Sequence, residues 1–417
     1  MLRQNAGDAQ NAGAALDNVA GNDYVEMPRR QALALSIHDF SKDREPEEVH
    51  MKRFSGLLLV FTPMLFSQPS TPEIPFNAVD ILKMPADLYI GEAAGVAVNS
   101  KGHIFVYTRS GGSEASSILD GRAAQLFEFA PDGTFIKEIG KNLYSKGWAH
   151  AVRVDKQDNI WLVDNASDEI VKLSPDYKVK LILGRRNEAV GERMRRPPIQ
   201  PGTPTPPPRP GMFFEPTDVA WDAQGNIFIS DGYQNSTVHK FDSDGNIVKM
   251  IGTARGRGPG QFSTPHAIAV DNKGFVYVAD RSNGRIQVLD NDLNYVREIR
   301  YNPPFPSGYI ANIPDFGKRP DGTYNTLWPN TLCITPGTTQ YIYVNDMIPG
   351  RISKFTLDGQ LVGDFGISGR KLGQFGWVHS ISCVSENQIF TGELLNWRVQ
   401  KITLHPEKAS KTPTSTR

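Results

Sequence analysis

The feature that most constrains this chain is a short unit that returns six times after about residue 90. Each unit holds an alternating apolar segment, a polar turn often ending in Gly, a second apolar segment that stops near an Asp, and then a third segment. The clearest copies are DVAWDAQGNIFISDGYQNSTVHKFDSDGNIVKMIG from Asp218 and AIAVDNKGFVYVADRSNGRIQVLDNDLNYVREI from Ala267; others start at Gly95, Ala151, Thr331 and Ser380. Period-two alternation between Asp, Asn and Gly turns predicts antiparallel strands, four to a unit. Aligned on the central apolar residue of the first strand, the units give Val96, Val152, Val219, Ile268, Leu332 and Ile381. Repeats of about 40–50 residues that each form a four-stranded sheet build a propeller. An all-β, six-bladed β-propeller is therefore expected over 71–405. The last copy stops at RVQKITL, 398–404, one strand short, while FNAVDILKMP, 76–85, stands ahead of the first copy. That N-terminal segment is expected to supply the missing strand and close the ring, removing two open sheet edges.

The 38 Gly and 30 Pro agree with a fold of many turns. With 45 basic and 45 acidic residues the formal net charge is zero, so no long-range field favours a polyanion or an anionic bilayer. No nucleic-acid partner is expected, no membrane association in the mature form, and a monomer. Cys333 and Cys383 are the only cysteines, which excludes a disulfide framework and a thiolate zinc site. One bridge stays open, but the expectation is two buried thiols in different strands.

The stretch MKRFSGLLLVFTPMLFSQPS from Met51 has a basic start at Lys52 and Arg53 and an apolar run from Phe54 to Phe66. The run is short of the roughly 20 apolar residues of a membrane span and suits a secretory signal. Residues 51–70 are thus expected to direct export to a periplasm or the exterior, with 1–50 a non-native or disordered leader. A disordered leader before a weak membrane anchor is the alternative. No Cys follows the run, so a lipoprotein is not indicated. The intervals 185–211 and 300–325 are Pro-interrupted and read as loops over the propeller. Arg185, Arg186, Arg193, Arg195 and Arg196 are expected to form a solvated face of the first. Residues 406–417 read as a disordered tail.

Two places before each aligned apolar residue stand Ala94, His150, Thr217, His266, Asn330 and His379. Histidine thus falls on blades 2, 4 and 6, at the start of each inner strand and at one end of the channel. With only eight His in the chain, this placement points to a metal held by three imidazoles with an open coordination position, as zinc is in catalytic sites. Imidazole also suits copper, nickel and ferrous iron. At the ends of the second strands, Arg109 and Arg281 occupy one repeat position, with Tyr233 one place further along blade 3. Guanidinium can clamp a carboxylate, and a Tyr beside cations can serve as a base.

PTDVA at 216–220, SDGYQNS at 230–236, GPGQFSTPH at 258–266 and ADRSNGRIQ at 279–287 follow in that order and spacing. They resemble the peptidyl-α-hydroxyglycine α-amidating lyase family, most closely over 214–300. The GQF and NGRIQ elements are shared with NHL-type repeats in general; SDGY followed by PH and ADR is more specific. The resemblance implies a six-bladed propeller with zinc on His150, His266 and His379, Tyr233 as base, and Arg281 as the substrate-orienting cation, with Arg109 a weaker match. It also implies a structural calcium held by an Asp directly after the third His; here that residue is Ser380, which puts calcium in doubt. The Cys beside the family's Tyr is Gln234, so that disulfide is absent. The implied activity is carbon–nitrogen cleavage of a peptidyl- or acyl-α-hydroxyglycine to an amide and glyoxylate, on a substrate supplied by another protein. Two other readings stand beside it: a non-catalytic NHL-repeat propeller binding a protein, peptide or glycan, and a propeller lactonase with calcium, for which Asn330 is the suggestive residue.

Overall fold

The computed structural model describes residues 71–109, 124–141, 143, 146–184, 207–303, 328–347 and 350–405. The 1–50 leader, the 51–70 signal, the five-arginine cluster, residues 304–325 of the second long loop and the 406–417 tail lie outside them. Six four-stranded antiparallel sheets make up six blades. Their inner strands are Glu92–Val98, Ala149–Val154, Asp218–Trp221, Pro265–Val270, Pro329–Ile334 and Val378–Ser385, blades 1 to 6 in order. Each inner strand lies against those of the blades before and after it, and the sixth meets the first. Among the described residues the helical content is one 3-10 turn, Arg281–Asn283, and no helix is long and apolar enough to cross a membrane.

The turn pattern of the sequence has a local cause. After the inner strand an Asp or Asn folds its side chain back over the turn. Asp155 Oδ1 accepts from the amides of Gln157 and Asn159, Asp222 from Gln224 and Asn226, Asp271 from Lys273 and Phe275, and Asn99 from Lys101 and His103. These Asx turns reverse the chain where the sequence alternation breaks. Between the turns the apolar residues pack blade on blade: Val163 and Ile170 of blade 2 meet Val219 and Ile229 of blade 3, and Trp161 lies 5.1 Å from Trp221. Near the axis the approach is closer still. A Cβ on Gly95 would stand 2.5 Å from the Val152 amide nitrogen, so only glycine lets the first two inner strands meet there.

The ring closes as the sequence implied. Phe76–Asp80 pairs with the last strand, Arg398–Leu404, from Phe76 opposite Leu404 to Asp80 opposite Gln400, completing blade 6. The cysteines correct an expectation: Cys333 and Cys383 are not free thiols but form a disulfide between the inner strands of blades 5 and 6, with Cα atoms 5.9 Å apart. Cys333 follows its aligned apolar residue by one place and Cys383 by two, so the repeat alignment does not set them side by side. An irregularity of register in blade 6 between Cys383 and Ser385 accompanies the contact.

Candidate metal centre

Each of the three histidines is the extra residue of a β-bulge. The register of the inner strand slips between Ala149 and Ala151, between Pro265 and Ala267, and between Val378 and Ser380. A bulged residue is unpaired and re-aims its side chain, and here all three bulges send an imidazole to one point. The ligand nitrogens of His150, His266 and His379 lie within 4.8 Å of one another.

The other half of each ring is fixed by the next blade. His150 Nδ1 is 2.6 Å from the Thr217 carbonyl, His266 Nδ1 2.7 Å from that of Asn330, and His379 Nδ1 2.7 Å from that of Ala94. These acceptors are the non-histidine residues of the same repeat position. A carbonyl only accepts, so each Nδ1 carries the proton and each Nε2 keeps its lone pair, the arrangement that metal-ligating imidazoles use. All three rings are buried. Burial, with the Arg109 and Arg281 guanidiniums adding to it, pushes His379 down to about 3. Burial first, then neighbouring charge, likewise holds His150 and His266 well below the usual imidazole range. Three neutral, oriented nitrogens fit zinc or another imidazole-seeking metal.

Acidic residues at the ends of the second strands, whose role sequence reasoning missed, hold the loops that carry these histidines. Asp164 Oδ2 accepts from the amides of Gly147 and Trp148, just before His150. Asp280 Oδ1 accepts from Ser263, ahead of His266, and Glu393 Oε2 from Gly376, ahead of His379. The recurring Asp noted in the repeat was the available signal.

Tyr233 reaches the same point. Its Oη lies 2.9 Å from His266 Nε2 and 3.3 Å from His150 Nε2. The preceding Gly232 makes this approach, since a Cβ there would stand 2.2 Å from the Pro265 carbonyl. Arg281 lies over the Tyr233 ring, 5.4 Å from its centroid. Arg109 stacks on Trp148 at 4.7 Å, donates from Nε to the Ala149 carbonyl at 2.8 Å and pairs with Glu92 at 3.3 Å. A cavity of about 280 Å³ opens over the cluster, with Arg109, Trp148, His150, Tyr233, Trp377 and His379 in its lining. Arg281 stands behind Tyr233 rather than in that lining. All six residues singled out from the sequence thus gather at one mouth of the channel, with Arg109 and Arg281 in different places around it.

Deeper along the axis a second cluster was not foreseen. Arg153 forms a two-point ion pair with Asp218, at 2.8 and 2.7 Å, and donates from Nη1 to the Ile381 carbonyl at 2.8 Å. Asp218 in turn accepts from the amides of Val219 and Ile268. Beside it Ser380 Oγ accepts from the Val96 amide at 3.1 Å. The residue at the calcium position is therefore a hydroxyl already bonded to backbone, and a guanidinium occupies a neighbouring carbonyl. This donor set does not fit calcium, which takes six to eight oxygens with carboxylates among them.

Residues 262–289 match the NHL repeat family. The chain is 31% identical over 252 residues to the peptidylglycine alpha-amidating monooxygenase of Rattus norvegicus, a match covering 55% of this chain and 24% of that protein. It is 29% identical over 220 residues to a probable peptidyl-alpha-hydroxyglycine alpha-amidating lyase of Caenorhabditis elegans, covering 49% of this chain and 57% of the other. Against peptidyl-alpha-hydroxyglycine alpha-amidating lyase 1 of Drosophila melanogaster it is 27% identical over 278 residues, 63% of this chain and 45% of the fly protein. The chain is thus similar to amidating lyases and carries an NHL repeat. It matches about a quarter of the rat protein's length and about half of the worm and fly lyases. In this propeller, blades 2, 4 and 6 carry the imidazoles and blades 1, 3 and 4 the Arg and Tyr side chains around them.

Proposed function

We propose that this protein is a zinc-dependent carbon–nitrogen lyase that cleaves a peptidyl- or acyl-α-hydroxyglycine to an amide and glyoxylate. The observation that carries the reading is the convergence of three Nε2 lone pairs with the Tyr233 hydroxyl. His150, His266 and His379 would hold the ion, which supplies Lewis acidity toward the substrate's hydroxyl. The chain's own groups do the rest. Arg109, at the cavity, meets the substrate carboxylate, while Arg281 packs over the Tyr233 ring and holds the phenol toward the imidazoles. Tyr233 Oη takes the proton of the carbinol hydroxyl. The C–N bond breaks as the C=O of glyoxylate forms, its electron pair goes to nitrogen, and Tyr233 returns the proton there, so that Tyr233 ends unchanged.

On the same reading one metal suffices. Arg153 does with a fixed side chain what a calcium ion would do with its charge, joining blades 2, 3 and 6 across the axis. The substrate is small, reaching a cavity of about 280 Å³, and would arrive already hydroxylated from another protein. Export to a periplasm or the exterior fits the Cys333–Cys383 bridge, since disulfides persist in oxidising compartments.

The deciding experiment is to incubate the zinc-loaded protein with an N-acyl-α-hydroxyglycine and measure glyoxylate. Release that is lost in Tyr233→Phe supports the lyase; none above background refutes it and leaves a binding propeller.

A further inference from the structure

The cavity over the metal centre is lined by two kinds of residue. Arg109, Tyr233, His150 and His379 are polar; Trp377, Leu394 and Leu395, with Trp148 next to Arg109, form its apolar side. These side chains sit on a fixed frame. The Leu394 amide donates to the Trp377 carbonyl at 3.1 Å and the Leu395 amide to the Gly376 carbonyl at 3.0 Å, while Asp164 holds the Trp148 amide at 2.9 Å. Leu394 is buried in the core between blades 1 and 2, with Trp377 packed against the same cluster. Leu395, next to it, is 65% exposed. Leu395 thus places an exposed apolar side chain in the cavity's lining, where an apolar ligand group that covers it is favoured.

We infer that this apolar side is a subsite for the group on the acyl side of the scissile bond, and that it selects aromatic or branched aliphatic acyl groups over small or anionic ones. The inference rests on the lyase reading for the identity of the head group. Its physical basis is continuity. Arg109 stacks on Trp148 at 4.7 Å, so a carboxylate at the guanidinium brings the rest of a small ligand alongside the indole. A cavity of about 280 Å³ is at the low end for ligand pockets and takes a head group plus one apolar substituent rather than a folded partner. The apolar residues of the lining offer an acidic acyl group no partner for its charge.

The test uses unreactive analogues that lack the carbinol hydroxyl, so binding is read without turnover. N-benzoylglycine, N-acetylglycine and N-succinylglycine are titrated into the zinc-loaded protein by calorimetry. The benzoyl compound is expected to bind about 10- to 100-fold more tightly than the acetyl one, the range for burying one such side group, and the succinyl compound no better than the acetyl. In Leu395→Ser and Trp377→Ala the benzoyl-to-acetyl ratio is expected to fall toward one. Equal affinities, no measurable binding of either, or a ratio unchanged in both variants would overturn the subsite. Glyoxylate assays on the corresponding α-hydroxyglycines separate the two ideas. Turnover without acyl preference sinks the subsite and keeps the lyase; acyl preference in binding without turnover does the reverse.

Discussion

His379 Nδ1 lies 2.7 Å from the carbonyl of Ala94, 285 residues earlier in the chain. The third imidazole of the cluster is therefore oriented by blade 1, and the cluster is complete only in the closed ring. His150 and His266 lean in the same way on Thr217 and Asn330. Because these acceptors are main-chain carbonyls, substitutions at Ala94, Thr217 or Asn330 leave the bonds in place, while loss of a ligating ring does not.

The first prediction concerns metal and base. Protein purified without added metal is expected to carry about one equivalent of zinc by elemental analysis, absent in His266→Ala. Tyr233→Phe keeps the metal and lowers kcat by about 10²–10⁴-fold, the range for a lost general base. Equal metal loss in both variants would assign Tyr233 to the ligand set instead.

The two arginines are expected to differ in steady-state kinetics. Arg109 faces the cavity and Arg281 faces the Tyr233 ring. Arg109→Ala is expected to act mainly through KM, by removing the carboxylate's partner, and Arg281→Ala mainly through kcat. The opposite split would exchange their roles.

Arg153 predicts indifference to calcium. Stability in a calcium chelator is expected to match that in buffer, whereas Arg153→Ala destabilises by about 3–5 kcal/mol, the cost of stranding a buried partner, here Asp218. Denaturant titration reads both. A chelator-induced fall in the wild-type midpoint, restored by calcium but not zinc, would count against the axial guanidinium as the substitute cation.

Asp231 precedes the Gly232–Tyr233 turn and accepts from the Phe214 amide and Asn235 Nδ2. Burial, with help from Asp168 and Glu215, pushes its carboxyl from 3.8 up to about 7. Between those values the unfolded chain releases a proton that the folded chain keeps, so Asp231 subtracts stability as pH rises from about 4 to about 7. Asp231→Asn abolishes that dependence. Its unfolding midpoint is expected to gain on the wild type across this window in a pH series, and a constant difference would contradict the shift.

The bridge closes a loop of 50 residues. By chain entropy this is worth about 4 kcal/mol, so Cys333→Ser/Cys383→Ser is expected to lower stability by up to that amount in denaturant melts. Wild type in reductant should follow it.

The blade count, the closing strand and the alternate-blade histidines were legible because each is a property of the repeat: a period, a deficit, or one position compared across copies. The bulges at His150, His266 and His379 were not, since a bulge leaves no mark on apolar alternation at the start of a strand. Arg153 and Asp218 were equally silent. They stand at different repeat positions on neighbouring blades, one place after and one before the aligned residues Val152 and Val219, and no motif couples them. The disulfide failed for the same reason, its cysteines being offset by one place between blades 5 and 6.

Phe76–Asp80 and Arg398–Leu404 form a zipper between the two ends of the fold. The blade they complete also bears His379. Force applied at the amino end, or a protease trimming it, would peel the outermost ribbon of that blade first. The blade that seats the third imidazole would then be the first to lose its support, making the seam the latch of the ring.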